Sequence, residues 1–141
     1  AYKGKREGGE LVCGGDAPAR PGYFFEPTVF ARMRADMTPV KSEIFGPVLC
    51  VQSFDDADLD RVAAEANSTI YGLSGSVWTR DIGLAMQMVR RIDAGQVSVN
   101  MHAALDPAMP FGGNKQSGWG REFGKEGLEP YLKTKGVSVA W

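Results

Sequence analysis

The sequence has few of the residues from which metal centres are built. Its 141 residues include one histidine, His102, and two cysteines, Cys13 and Cys50, which lack CxxC spacing. One histidine and two distant cysteines do not complete a Cys/His ligand set, so the sequence predicts no metal site. Because free thiols are typical of a reducing compartment, we expect a cytoplasmic protein.

The sequence also lacks an excess of charge of either sign, and it has no long apolar run. It has 16 basic and 17 acidic side chains, which leaves no basic face for phosphate, so we expect no nucleic-acid partner. The longest aliphatic stretch, residues 48–51, is too short to span a bilayer, so we expect no membrane partner. The chain begins without methionine on a short basic segment, and we therefore expect a piece of a longer protein.

Hydrophobic residues make up 43% of the sequence, and their spacing alternates along the chain between that of strands and that of helices. Residues 47–54 predict a strand buried on both faces, and Asp55 is the predicted N-cap of the helix that follows. A strand at 74–79, a helix capped by Asp81 and a strand at 97–100 come next. This order predicts an α/β fold with a mainly parallel sheet and flanking helices.

The ends of the chain predict further elements. Strands are expected at residues 11–13 and 23–30, and a long loop at 101–120 precedes a short helix at 121–132. The last segment, residues 135–141, alternates valine and tryptophan with small residues, which is typical of an edge strand that pairs with another chain. The alternative is that it closes its own sheet. We therefore expect a main domain at 1–134 and a terminal oligomerisation strand at 135–141.

The segment before the strand at 47–54 contains a candidate ligand contact. Glu43 and Phe45 belong to the run Glu-Ile-Phe-Gly-Pro-Val, and in an extended segment alternate side chains share a face. A carboxylate accepts two hydrogen bonds and suits vicinal ribose hydroxyls, whereas an aromatic ring offers a flat surface to a planar heterocycle. Spacing alone favours the alternative, a solvated glutamate beside a core phenylalanine.

Four segments together resemble the aldehyde dehydrogenase superfamily, in the order of that family: residues 41–48, 65–73, 77–81 and 110–122. The resemblance implies the C-terminal part of the catalytic domain of an enzyme that oxidises an aldehyde to a carboxylate with NAD(P)+ and water. It also implies that Glu43 contacts the nicotinamide ribose and that Phe45 contacts the nicotinamide side of the cofactor.

The glycine-rich segment 112–118 superficially resembles a phosphate-binding loop, but it lacks the spacing of a Walker motif. Its glycines are predicted to permit unusual backbone angles. The resemblance to aldehyde dehydrogenases implies that Phe111 is a wall of the aldehyde pocket and that Met101 and Leu105 line the substrate tunnel. Ordinary loop packing is the alternative for Met101 and Leu105, and Leu105 stands where many family members have an aromatic ring.

No catalytic residue is predicted within the chain. In the family a cysteine thiolate attacks the aldehyde and forms a thioester, but neither Cys13 nor Cys50 lies in the Gly-Gln-x-Cys context of that nucleophile. Both are interpreted as structural, because burial raises the pKa of a thiol and makes it inert. His102 is interpreted as a surface or pocket-rim residue, since nothing in the sequence supplies it with an orienting acid.

The resemblance further implies an assembly. The matched region lacks the general base and the dinucleotide domain of the family, so the remainder of the parent enzyme is an expected partner, along with a small-molecule aldehyde. The family also implies a homodimer or a tetramer. Two alternatives stay open: a stand-alone structural or interaction module without catalysis, and a nucleotide-binding protein without chemistry.

Overall fold

The computed structural model describes residues 2–55, 58–102 and 104–141. The chain divides into two compact units, Ala1–Ile70 and Tyr71–Trp141. Each unit combines small sheets with flanking helices, so the predicted α/β class is confirmed. The strand pairings within the described residues are equally divided between parallel and antiparallel, which differs from the mainly parallel sheet that the element order predicts.

The first unit contains a three-stranded sheet in the order β1-β2-β3. Strand β1 pairs antiparallel with β2, and β2 pairs parallel with β3. The elements of this unit are α1 (Tyr2–Arg6), β1 (Glu10–Cys13), β2 (Thr28–Ala31), α2 (Thr38–Lys41), β3 (Val48–Cys50) and α3 (Leu59–Ala66).

The core of the first unit is formed by Phe30, Met33 and Met37, all buried. Phe30 lies in β2, and the two methionines follow that strand on the way to α2. A Cβ added to Gly4 would lie 3.2 Å from the Phe30 ring, so helix α1 approaches the core closely at a residue without a side chain. Burial of apolar groups of this size supplies most of the stabilisation that holds such a small sheet to its helices.

The second unit contains two pairs of strands and one long helix. Strands β5 and β6 pair in parallel and are joined through α4, while β4 and β7 pair antiparallel. Its elements are β4 (Tyr71–Gly72), β5 (Ser74–Val77), α4 (Ile82–Arg91), β6 (Gln96–Val99), β7 (Asn114–Lys115) and a 3-10 helix, Glu126–Tyr131.

Helix α4 begins where the sequence predicts, because Asp81 caps it. The Asp81 carboxylate accepts hydrogen bonds from the backbone N–H groups of Gly83 and Leu84 at 2.7 and 3.1 Å. Arg90 and Arg91 lie in its last turn, which is favourable at the negative end of the helix dipole. Helix α4 packs on β5 at Gly75, where an added Cβ would lie 3.1 Å from Ile92.

Several predicted element bounds are wrong. Asp58, not Asp55, caps α3 and accepts from the Arg61 N–H. The strand predicted at 23–30 is confined to Thr28–Ala31, and residues 23–25 are exposed instead. The strand predicted at 47–54 is confined to Val48–Cys50 and is not buried on both faces, since Leu49 is exposed between two half-buried residues.

The end of the chain also differs from its predicted structure. The helix predicted at 121–132 is a 3-10 helix at Glu126–Tyr131, and residues 135–141 form no strand. Since this segment pairs with no described strand, the alternative that it closes the sheet of its own chain is wrong. The side chains of Val137, Val139 and Trp141 are exposed. No described helix is both long and apolar enough to cross a bilayer.

Large apolar side chains are exposed in both units. All three tryptophans are among them, with Trp78 67% and Trp119 97% exposed and Trp141 fully so. Isolated exposed apolar residues are normal on protein surfaces, but aromatic side chains exposed to this extent leave most of their large apolar area in contact with water.

Candidate functional site

The segment that contains Glu43 and Phe45 lies between α2 and β3, and both of its ends are held. At the helix end, the Ser42 N–H donates to the Thr38 carbonyl at 2.9 Å. At the strand end, the Pro47 carbonyl accepts from the Thr28 N–H at 2.8 Å, which ties the segment to β2. A loop anchored at both sides presents its side chains in defined positions.

Phe45 has an unusual backbone conformation. Its φ is 53°, in the left-handed region, and its side chain is 92% exposed. The left-handed conformation costs a residue with a Cβ about 1–2 kcal/mol, and exposure of the ring forgoes the stabilisation from burying it. The extended geometry on which the shared face of Glu43 and Phe45 was predicted is therefore wrong at Phe45, and the alternative of a core phenylalanine is also wrong.

Glu43 presents an exposed carboxylate two residues before Phe45. Within the described part of the chain, this carboxylate has no hydrogen-bond or ion-pair partner. It retains its full capacity to accept hydrogen bonds from hydroxyl groups of a ligand. An exposed acceptor and an exposed ring on one anchored loop can together contact a molecule that has both hydroxyls and a planar heterocycle.

In the second unit, Phe111 closes the glycine-rich loop. Its N–H donates to the Glu122 carbonyl at 2.8 Å, and the Glu122 N–H donates back to the Phe111 carbonyl at 2.7 Å. This reciprocal pair fixes both ends of residues 112–121. The Phe111 side chain is half-buried at the base of the loop.

The glycines of this loop serve two purposes. Gly118 has a φ of 137°, which agrees with the predicted need for an unusual backbone angle. Gly112 and Gly113 do not have positive φ, and the prediction is wrong for them. They are required by close approach instead, since a Cβ on Gly112 would lie 2.6 Å from the Gly120 carbonyl oxygen.

An open cavity of ≈ 360 Å³ lies against this loop. Phe111 lines it, as do Leu73, Trp119 and Arg121, but neither Met101 nor Leu105 does. Met101 and Leu105 are both about half exposed and belong to the segment that follows β6. The structure therefore places Phe111 in a cavity and the other two predicted pocket residues outside it.

Arg121 holds the loop together, a role that sequence reasoning missed. Its guanidinium donates to the carbonyls of Gly113 and Gly120 at 3.0 and 2.7 Å and to the Asn114 side chain at 2.7 Å. Asn114 in turn donates to Asp93 at 2.9 Å. Arginine has five N–H donors in a planar fork and can bind several carbonyls at once, but the sequence gives no indication which carbonyls will surround it.

The two thiols occupy different environments. Burial raises the pKa of the Cys50 thiol above its ordinary value, which agrees with the interpretation of an inert structural cysteine. Cys13 is exposed at the end of β1, so burial does not account for its interpretation as structural. Both sulfurs are weak donors to nearby proline carbonyls, at 3.9 Å for Cys13 and 3.8 Å for Cys50.

His102 is exposed, which agrees with a surface or rim position, and its Nδ1 lies 2.7 Å from the Ser76 hydroxyl oxygen. A nucleophilic serine needs a base that is oriented by a third group. Within the described residues no carboxylate contacts the imidazole, and no group of acidic or metal-binding side chains forms a metal site.

Three comparisons relate this geometry to known proteins. The model of the aldehyde dehydrogenase family matches residues 1–137. The cytosolic 10-formyltetrahydrofolate dehydrogenase of Xenopus laevis is 46% identical over 138 residues. This match covers 98% of the chain but 15% of that protein.

Solved structures give the same result. An aldehyde dehydrogenase from Bacillus cereus superposes with a TM-score of 0.91 at 43% identity, over 98% of this chain and 28% of that one. A variant of aldehyde dehydrogenase C from Pseudomonas syringae, in complex with NAD+ and octanal, superposes with a TM-score of 0.86 at 44% identity. That match covers 95% of this chain and 28% of that one. The chain spans 15–28% of the length of these relatives, and it belongs to the aldehyde dehydrogenase family.

Proposed function

We propose that this chain forms part of the cofactor site and of the aldehyde pocket of an NAD(P)-dependent aldehyde dehydrogenase, which oxidises an aldehyde to a carboxylate with water. The observation that carries the proposal is Phe45, an exposed ring on a left-handed residue, near the Glu43 carboxylate, which has no partner among the described residues. Backbone strain that is not offset by favourable packing is typical of residues that contact ligands.

Glu43 and Phe45 fit the two halves of a nicotinamide nucleoside. The Glu43 carboxylate accepts hydrogen bonds from the ribose hydroxyls, and the Phe45 ring lies against the nicotinamide side. The cofactor supplies the hydride acceptor, and the protein residues supply orientation. The related enzyme from Pseudomonas syringae contains NAD+, which supports NAD+ over NADP+ as the first cofactor to test.

The aldehyde pocket is assigned to Met101, Leu105 and Phe111. All three are apolar, and Met101 and Leu105 expose their side chains while Phe111 lines a cavity. Apolar walls exclude water from a reactive carbonyl and recognise the hydrocarbon part of an aldehyde. The octanal in the related Pseudomonas syringae enzyme supports an aliphatic aldehyde as the first substrate to test.

The chain alone is proposed to be inactive. The thioester mechanism needs an activated cysteine, and Cys50 has a raised pKa while Cys13 has no base beside it in the described structure. The nucleophile and the general base are therefore assigned to a segment outside these 141 residues. Residues 135–141, with their exposed valines, are proposed to join subunits into a homodimer or tetramer in the cytoplasm.

The proposal is tested with the protein expressed from the complete open reading frame that encodes this chain. We expect aldehyde-dependent reduction of NAD+, followed by absorbance of the reduced cofactor, and no reduction by the 141-residue chain. Activity of the chain alone that disappears on Cys13→Ser or Cys50→Ser would overturn the assignment of the thiols. An open reading frame without an upstream Gly-Gln-x-Cys segment would support the non-catalytic module instead.

The cofactor contacts are tested in the same protein with Glu43→Gln and Phe45→Ala. A hydrogen bond to a charged group contributes about 1.5–3 kcal/mol, so we expect Glu43→Gln to raise the KM for NAD+ about 10-fold or more. The matched control is Glu26→Gln, which alters another exposed glutamate of the same unit. Equal KM values for Glu43→Gln and Glu26→Gln would contradict the ribose assignment.

A further inference from the structure

The segment that follows β6 turns back over the sheet from which it emerges. Ser74 pairs with Gln96 and Ser76 pairs with Ser98 in the parallel register of β5 and β6. Since alternate residues of a strand share a face, these four polar side chains lie on one face of the strand pair. Gly75 lies on the other face, where α4 packs.

Two contacts place residues 102 and 104 against this polar face. His102 Nδ1 lies 2.7 Å from the hydroxyl of Ser76, near the end of β5. The Gln96 side chain then donates to the Ala104 carbonyl at 2.7 Å, at the beginning of β6. As the chain advances from His102 to Ala104, its partners move backwards along the strands, and Ser98 between them is buried.

The chain reverses its direction after β6 at Asn100. Its φ is 54°, a left-handed conformation that asparagine adopts more readily than most residues. Its side-chain oxygen accepts from the Thr79 N–H and its amide donates to the Thr79 carbonyl, both at 2.9 Å. This bidentate contact holds the start of the returning segment against the residues that follow β5.

We propose that Ser76, Gln96 and Asn100 are positioning residues that determine which aldehydes the protein accepts. They hold residues 100, 102 and 104 in place, and so position the neighbouring side chains of Met101 and Leu105, which are both about half exposed. The proposal rests on the assignment of Met101 and Leu105 to the aldehyde pocket. The hydrogen bond between Ser76 and His102 is therefore a structural anchor and not a nucleophilic pair.

The position of the segment is tested by limited proteolysis of the full-length protein, with cleavage within residues 101–106 followed by mass spectrometry. A protease needs the segment detached and extended, so cleavage reports the detached population. Loss of one ordinary hydrogen bond in Ser76→Ala is expected to increase cleavage about 2- to 10-fold. Ser76→Thr, which retains the hydroxyl, is expected to restore the original rate.

The matched control is Ser74→Ala, on the same strand and the same face, because Ser74 has no side-chain partner among the described residues. We expect Ser74→Ala to leave cleavage unchanged. Equal cleavage of Ser76→Ala and Ser74→Ala would overturn the proposal. This measurement does not need activity, so it stands even if the full-length protein fails to oxidise aldehydes.

Specificity is tested by kcat/KM for a short and a long aliphatic aldehyde. We expect Ser76→Ala to change the ratio of the two values about 2- to 10-fold and to leave the KM for NAD+ unchanged. A merely structural contribution would lower both values equally, and that result would overturn the specificity proposal. Absence of turnover in the unmodified protein would instead contradict the proposed function.

Discussion

Phe45 combines two features that are each unfavourable for a folded chain. Its backbone is left-handed, and its ring is almost fully exposed. Neither feature is compensated by packing within the described residues, so replacement of Phe45 acts on stability through the backbone alone. Stability and ligand binding therefore place opposite demands on this residue.

We expect Phe45→Gly to be more stable than Phe45→Ala by about 1 kcal/mol. Glycine adopts positive φ without strain, whereas alanine retains the Cβ that makes this conformation unfavourable. Urea denaturation of the two variants measures the difference. Equal free energies of unfolding would show that the left-handed conformation is not retained in solution.

The residues of the candidate site were identified from sequence to different extents. Glu43 and Phe45 stand in a motif whose chemistry suits a nucleoside, and both are exposed as such a contact requires. The φ of Phe45 was not predictable, because aromatic residues rarely adopt positive values and nothing in their neighbours signals one. Arg121 was not predictable either, since its partners are backbone carbonyls brought to it by folding.

At the scale of elements, helix α4 depends on its cap. Asp81 satisfies two N–H groups that have no partner within the helix. We expect Asp81→Ala to lower the free energy of unfolding of the second unit by about 0.5–2 kcal/mol and Asp81→Asn to lower it much less, because asparagine also caps helices. Circular dichroism in urea measures both. A loss as large for Asp81→Asn as for Asp81→Ala would contradict the capping argument.

Glu7 links α1 to α2, and its pKa makes the stability of the first unit depend on pH. Its carboxylate accepts from the Thr38 hydroxyl and from the Thr38 N–H, both at 2.6 Å, and these bonds lower the pKa of Glu7 in the folded state. A lowered pKa stabilises the fold above the pKa of the unfolded chain, about 4.3, and this stabilisation is lost as the pH falls through the folded value.

We therefore expect Glu7→Gln to be less stable than the unmodified chain at pH 7, with the difference shrinking as the pH falls below about 4. Urea denaturation at a series of pH values measures it. Glu26→Gln is the control, since the Glu26 side chain has no partner among the described residues and its replacement is expected to have little effect. A difference for Glu7→Gln that is constant with pH would contradict the role of its charge.

Elements were predictable where local signals agree. Helix α4 has a cap, an apolar stripe and a basic end, and all three point to the same bounds. Helix α3 was predicted to start too early because Asp55 and Asp58 are both suitable caps, and only the folded chain selects Asp58. The strand predicted at 23–30 forms only at Thr28–Ala31, since the strand propensity of the aromatic residues at 23–25 does not produce a strand without a partner strand.

At the scale of the whole molecule, the order of elements predicted the α/β fold class but not which strands pair with each other. The parallel pair β5 and β6 is joined through α4, as the strand–helix–strand order predicts. The antiparallel pair β4 and β7 joins Tyr71 to Lys115, and such a distant pairing leaves no periodic signal in the sequence. Division into two units was not predicted, because no composition shift marks residue 70.

The exposure of all three tryptophans determines the wavelength at which the chain fluoresces. Indole emission shifts to shorter wavelength when water is removed from the ring, so Trp78, Trp119 and Trp141 should emit at long wavelength in the folded 141-residue chain. We expect urea to change this wavelength little, and we expect the protein from the complete open reading frame to emit at shorter wavelength. A large red shift on unfolding of the chain alone would contradict the exposed positions. With all three tryptophans exposed, a shift in their emission reports the covering of these surfaces by the remainder of a larger protein, and not the folding of the chain itself.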